Sequence, residues 1–163
     1  MAKAKNPVPA GFHTVTPQLT MQNAARAIEW YKKALGADEV TRALGPDDKV
    51  IHAEIRIGNS VIMLNDDMMG GNTAKARGGS PISLWVYVAD CDALFDRAIN
   101  AGAHTANGPM GKMQDQFWGD RSGTFIDPEG YQWTIATRKE ELTPDEMKTR
   151  QDEWMRQFAA TRT

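Results

Sequence analysis

Asp115-Gln116-Phe117-Trp118-Gly119-Asp120-Arg121, then Ser122-Gly123, then Thr124-Phe125-Ile126-Asp127-Pro128-Glu129-Gly130-Tyr131-Gln132-Trp133-Thr134-Ile135-Ala136-Thr137-Arg138, is the stretch that decides the fold. Ser122-Gly123 and Pro128-Glu129-Gly130 are turn chemistry between runs rich in aromatic and β-branched residues. The reading is a three-stranded antiparallel meander over 116–121, 124–126 and 131–137. Pro128 supplies a fixed φ and Gly130 an accessible positive one, so this turn sets the register of the last strand. A slip of one residue would exchange Tyr131, Trp133 and Ile135 for Gln132, Thr134 and Ala136 on the buried face.

Outward from that stretch, the bulk composition narrows the class. With 163 residues, 41% apolar and 25% charged, the chain is a folded globular protein, either one ordinary domain or two small units sharing a core. A net charge of −2 and the lack of a Lys/Arg cluster give no electrostatic reason to expect nucleic acid or an anionic membrane as partner. Cys91 is the only cysteine, which excludes an internal disulfide and a cysteine-rich metal site. A reducing, cytoplasmic location is expected, because the amino-terminal residues lack the apolar core of a signal peptide and no later run is long enough to span a bilayer.

Residues 1–11 read as a loose arm broken by Pro7, Pro9 and Gly11. Residues 13–21 alternate as a strand, with Val15, Leu19 and Met21 on one face; Pro17 restricts that strand to an edge or a bulge. Asn23 is a helix N-cap, and Ala24, Ala27, Ile28, Tyr31 and Leu35 follow at helical spacing until Gly36. Strands are predicted at 39–44, 50–57 and 60–65, the last two joined by Gly58-Asn59. The polar run 66–81, with Gly70-Gly71 and Gly78-Gly79, reads as a linker. The order then repeats: a strand at 82–88, Asp90 as N-cap, a helix at 91–100 ended by Gly102, a strand near 103–105, and the meander.

Aligning the halves superposes Thr16, Gln18, Thr20 and Asn23 on Ser83, Trp85, Tyr87 and Asp90, and Met63 on Thr134. The fold class is α+β: two βαβββ modules, 12–65 and 82–138, forming a curved mixed sheet around a shared cleft, each packed on its own helix. Together they make a single domain over 12–138, and 139–163 is a C-terminal helical extension. Thr143-Pro144-Asp145-Glu146 is a capping box with Pro at the first helical position. Met147, Trp154, Met155 and Phe158 recur along one side of that helix, a stripe suited to packing against the body of the protein or against a second copy.

A duplicated βαβββ unit ending in Asp127-Pro128-Glu129-Gly130-Tyr131-Gln132-Trp133 resembles the vicinal oxygen chelate superfamily of glyoxalases, bleomycin-resistance proteins and dioxygenases. Thr16-Pro17-Gln18-Leu19-Thr20, Ala27-Ile28-Glu29-Trp30-Tyr31 and Asp115 to Arg121 resemble its PhnB-like branch. The superfamily's metal enzymes carry His or Gln on the first strand of each module and Glu on the last. Carried over residue by residue, those positions fall on Thr16, Met63, Ser83 and Thr134. Three hydroxyls and a thioether are poor ligands for Zn²⁺, Ni²⁺ or Fe²⁺, so no cofactor is expected. The resemblance also implies a homodimer.

Trp118, Asp120 and Arg121 could stack on and orient a planar polar ligand; alternatively, Asp120 and Arg121 form a structural ion pair and Trp118 fills the core. Trp85 and Tyr87 share a face with Ser83 and could wall a ligand cavity or close it, and Gln18 and Thr20 match them in the first module. Met63, Met68, Met69, Met110 and Met113 could supply adaptable apolar contacts, or fill mobile loops. His52 and Glu54 project to one face; a solvated polar face is the simpler reading, and an acid/base or metal pair the sharper one. His13 and His104 lie beside a loop or turn and carry less, and Cys91 is read as structural. The reading that follows is a small-molecule-binding protein without a metal, using Gln18, Met63, Trp85, Tyr87, Trp118, Asp120 and Arg121. The alternative is a divalent-metal-dependent lyase, isomerase or dioxygenase that uses His52 and Glu54.

Overall fold

The computed structural model describes residues 3–160 and divides into two compact units: Met1–Pro81 with Pro128–Tyr131, and Ile82–Asp127 with Gln132–Thr163. Unit 1 runs β1 (Gln18–Met21), α1 (Ala24–Leu35), β2 (Asp38–Leu44), a single 3₁₀ turn at Pro46–Asp48, β3 (Val50–Ile57) and β4 (Ser60–Asp66). Its sheet has the order β1-β4-β3-β2, with β1 parallel to β4 and the other pairs antiparallel. Unit 2 runs β5 (Ser83–Tyr87), α2 (Cys91–Asn100), β6 (His104–Thr105), β7 (Gln114–Asp115), β8 (Asp120–Ile126), β9 (Gln132–Arg138) and α3 (Pro144–Ala160). Its order is β5-β9-β8-β6, with β7 added alongside β8.

The duplication is exact in its pairing. Gln18 stands opposite Met63 in unit 1 and Trp85 opposite Thr134 in unit 2, the same pairs that the repeat alignment brings together. Both helices begin as their sequence signals require: the Asn23 side chain accepts the Arg26 N–H and the Asp90 side chain the Ala93 N–H. Gly36, at φ 66°, ends α1. The buried face of α1, Ala24, Ala27, Ile28, Tyr31 and Leu35, is the stripe expected from spacing, and it shares the unit 1 core with Leu19, Met21, Ala53, Ile55 and Leu64. In unit 2 the core is Phe95, Phe125, Trp133 and Ile135, with the rings of Phe95 and Phe125 edge-on at 5.9 Å. Each such side chain, fully removed from water, stabilises the unit by about 1.5–3 kcal/mol.

The meander exists, but its first turn lies elsewhere. β8 runs unbroken through Ser122-Gly123, and the turn falls at residues 116–119, where the Gln116 N–H donates to the Asp120 carbonyl at 2.7 Å and Gly119 takes φ 94°. Gly123 is needed for a different reason: a Cβ there would lie 2.6 Å from the Met113 sulfur, so its missing side chain makes room for Met113. The strand expected at 13–21 starts only at Gln18, which leaves Val15 exposed. Pro17 contributes only its carbonyl, accepting the Met63 N–H at 2.9 Å.

The run expected to be a linker is structured within unit 1. Asp66 ends β4 and is buried; one carboxylate oxygen accepts the Ala24 N–H at 2.7 Å and the other the Val50 N–H at 2.8 Å. Asp67 accepts the N–H groups of Gly70 and Asn72, which holds its carboxyl below the usual range, and Thr73 and Ala74 are buried. Also in unit 1, the Tyr131 hydroxyl donates to the Thr20 carbonyl at 2.8 Å and accepts the Thr20 N–H at 3.1 Å, while Glu129 accepts the Gln22 N–H. Polar composition hid a loop whose donors are met by carboxylates.

Candidate functional site

Strand alternation sorts unit 2 into two faces. Toward α2 lie Phe125 and Thr137, whose hydroxyl accepts the Cys91 N–H, and Arg121, whose guanidinium grips Asp92 at 2.7 and 2.8 Å. Away from α2 lie Ser83, Trp85 and Tyr87 on β5, Thr134 on β9, and Asp120, Ser122 and Thr124 on β8.

On this second face Asp120, only 6% exposed, organises an aromatic cluster. Its Oδ2 accepts both the Tyr87 hydroxyl at 2.9 Å and the Trp118 indole N–H at 3.0 Å. Trp85 stands 6.1 Å from the Tyr87 ring and 6.4 Å from Trp118, and remains 44% exposed, with Tyr87 60% exposed. Burial, and then the bond to a carboxylate that already bears a charge, push the Tyr87 hydroxyl above its ordinary pKa.

Trp118 is aimed by the tight turn that carries it. The Gly119 carbonyl accepts the N–H groups of Lys139 and Glu140 at 2.9 and 3.0 Å, and a Cβ on Gly119 would lie 2.8 Å from the Glu140 carbonyl oxygen. Phe117 meets Trp118 edge-on at 4.9 Å and reaches Trp154 of α3 at 5.6 Å; Trp154 in turn stacks on Phe158 at 5.0 Å. Aromatic contacts thus run from the β5 rim to the C-terminal helix, whose Thr143 and Glu146 form the capping box.

Arg121 does not join this group. Neighbouring residues on a strand point to opposite faces, so it pairs with Asp92 and, at 3.1 Å, with Asp115, and makes no pair with Asp120. It holds the Asp92 carboxyl below its usual range. Asp92, on α2, is a partner that strand parity excluding Asp120 could have suggested.

The positions that the resemblance implies for a metal do not fit one. Ser83 and Thr134 share a hydrogen bond at 2.9 Å, and Thr134 makes a second, also 2.9 Å, with Thr124. In unit 1, Thr16 lies before β1 and donates to the His13 carbonyl, and Met63 offers a soft thioether. Neutral hydroxyls already bonded to one another, and a thioether, bring neither charge nor strong affinity for a divalent cation. Among the described residues, no three His, Cys, Asp or Glu side chains come together as a metal-holding group. His52 and Glu54 meet each other at 3.1 Å on the unit 1 sheet, where Gln18 donates to Asn65 at 2.9 Å and Met63 is half-buried. Of the loop methionines, Met68 and Met69 are exposed and Met110 and Met113 half-buried.

Paired βαβββ units with matched registers define a class of protein, and residues 11–135 match the model of the Glyoxalase/Bleomycin resistance protein/Dioxygenase superfamily. The chain belongs to that superfamily. A protein of Mycobacterium bovis is 42% identical over 139 residues, covering 82% of this chain and 89% of the relative; one of Mycobacterium tuberculosis is equally similar, with 79% of the relative covered. The X-ray structure of an Arabidopsis thaliana gene product is 25% identical with a TM-score of 0.59, covering 77% of this chain and 98% of that one. The PhnB protein of Bacillus cereus, 16% identical, shares the fold with a TM-score of 0.61 over 77% of this chain and 99% of that one.

Proposed function

We propose that this protein binds a small, partly aromatic molecule against Trp85, Tyr87 and Trp118, without the divalent metal usual in its superfamily. The observation that carries this reading is Asp120: one nearly buried carboxylate oxygen fixes two aromatic side chains, while the ring beside them stays substantially exposed. Holding the rings in place before a ligand arrives lowers the ordering cost of binding, and exposed indole and phenol faces supply large contact area. Few well-placed polar groups beside apolar surface are what small-molecule sites are made of. The bonded hydroxyls of Ser83, Thr134 and Thr124 support a role for the old metal positions as structure rather than as cation ligands.

The test is thermal stabilisation across a panel of planar heteroaromatic compounds, with chelator present throughout. At least one compound is expected to raise Tm, and Trp118→Ala to abolish that rise. A rise that is unchanged in Trp118→Ala would place binding elsewhere.

A further inference from the structure

A cavity in unit 2, of about 330 Å³, is lined by Asp115, Asp120, Arg121, Lys139, Glu140 and Arg150, among others, the Asp120 carboxylate being committed to Tyr87 and Trp118. Three cationic residues from three places in the chain line it: Arg121 from β8, Lys139 from the residues after β9, and Arg150 from α3. We infer that this cavity is a site for a small oxyanion, a phosphate or carboxylate group, and that Asp115 and Glu140 fill in for that group when it is absent.

The roles follow from how firmly each carboxylate is held. Asp92 grips Arg121 through two bonds, at 2.7 and 2.8 Å, the bidentate geometry that holds a guanidinium in a fixed orientation. Asp115 touches only the remaining Nη1, at 3.1 Å, from a side chain that is 80% exposed. Glu140 meets Arg150 through one bond only, 2.5 Å, from a side chain 50% exposed. Single exposed ion pairs of this kind contribute little net free energy, even when short, so another anion can replace the carboxylate. The Lys139 ammonium makes no hydrogen bond or ion pair among the described residues, although its charge is felt at Asp92. Its main chain, like that of Glu140, is pinned to the Gly119 carbonyl, which anchors the base of an exposed side chain beside the cavity. An entering oxyanion would take the Nη1 of Arg121 and the guanidinium of Arg150 from Asp115 and Glu140, and gain Lys139 as a third donor. A lone surface ion pair offers no such exchange.

Titration calorimetry of the full chain with inorganic phosphate, and separately with succinate, at fixed ionic strength, tests this. Saturable binding of at least one is expected, and the tighter of the two identifies the group. Lys139→Ala is expected to weaken binding about ten-fold, the scale of one lost charge-assisted hydrogen bond. Asp115→Asn is expected to tighten it about three-fold by removing the internal competitor. Both side chains are exposed, so unchanged melting curves will show that the variants fold. No saturable binding of either anion, an unchanged affinity in Lys139→Ala, or a weaker one in Asp115→Asn would overturn the inference. Trp85→Ala, at a residue outside this lining, should leave anion binding intact while weakening binding at the aromatic cluster, which separates the two sites.

Discussion

At the scale of single residues, Asp120 and Arg121 show what one step along a strand decides. Asp120 faces Tyr87 and Trp118, and Arg121 faces α2. Replacing Asp120 with Ala removes the acceptor of two hydrogen bonds at a nearly buried position, and should cost about 2 kcal/mol in urea denaturation. Asp120→Asn tests the electrostatics: with the negative charge gone, the Tyr87 pKa should fall back toward the ordinary 10.0, read from the phenolate absorbance on alkaline titration. The sign carries into stability. Because the folded state holds the Tyr87 proton more tightly than the unfolded chain does, that contribution is complete below pH 10.0 and is lost as pH rises through the raised pKa. The site was partly legible in sequence: aromatic and acidic residues at 85, 87, 118 and 120 announce themselves by type and parity. That Tyr87 and Trp118 share one oxygen of Asp120 was not, because it depends on where a turn folds Trp118 back over β5.

At the scale of elements, local chemistry was readable wherever its partner lies within a few residues. Asn23, Asp90, Thr143 with Glu146, and Gly130 all act where the sequence places them. Ser122-Gly123 misled, because a glycine that makes room for Met113 looks in sequence like one that makes a turn. Asp66 was hidden for a different reason: its partners Ala24 and Val50 are distant along the chain, so nothing in a polar, glycine-rich run distinguishes it from a solvated aspartate. Asp66→Ala would leave two buried N–H groups without an acceptor, and should destabilise unit 1 by about 3 kcal/mol. Hydrogen exchange should then rise first at Ala24 and Val50. Gly119→Ala should cost about 1–3 kcal/mol, since it puts a Cβ against the Glu140 carbonyl at a φ of 94°. Because that turn aims Trp118, the variant should also lose ligand-induced stabilisation.

At the scale of the whole molecule, the duplication was the most legible feature. It repeats over dozens of residues, and the strand registers reproduce it residue for residue. The positions implied for a cation came from the family resemblance, with which the alignment agrees, and two of them, Ser83 and Thr134, share a hydrogen bond. The homodimer implied by the family stands as a proposal; light scattering on a sizing column should return twice the chain mass, and the mass of one chain would contradict it. The most direct measurement of the central claim is ligand-induced thermal stabilisation before and after exhaustive chelation, with elemental analysis of the same samples. Metal-independent binding at the aromatic cluster predicts the same rise in Tm in both, with divalent metal well below stoichiometric. A rise that disappears on chelation and returns with added Zn²⁺, Ni²⁺, Mn²⁺ or Fe²⁺ would contradict it.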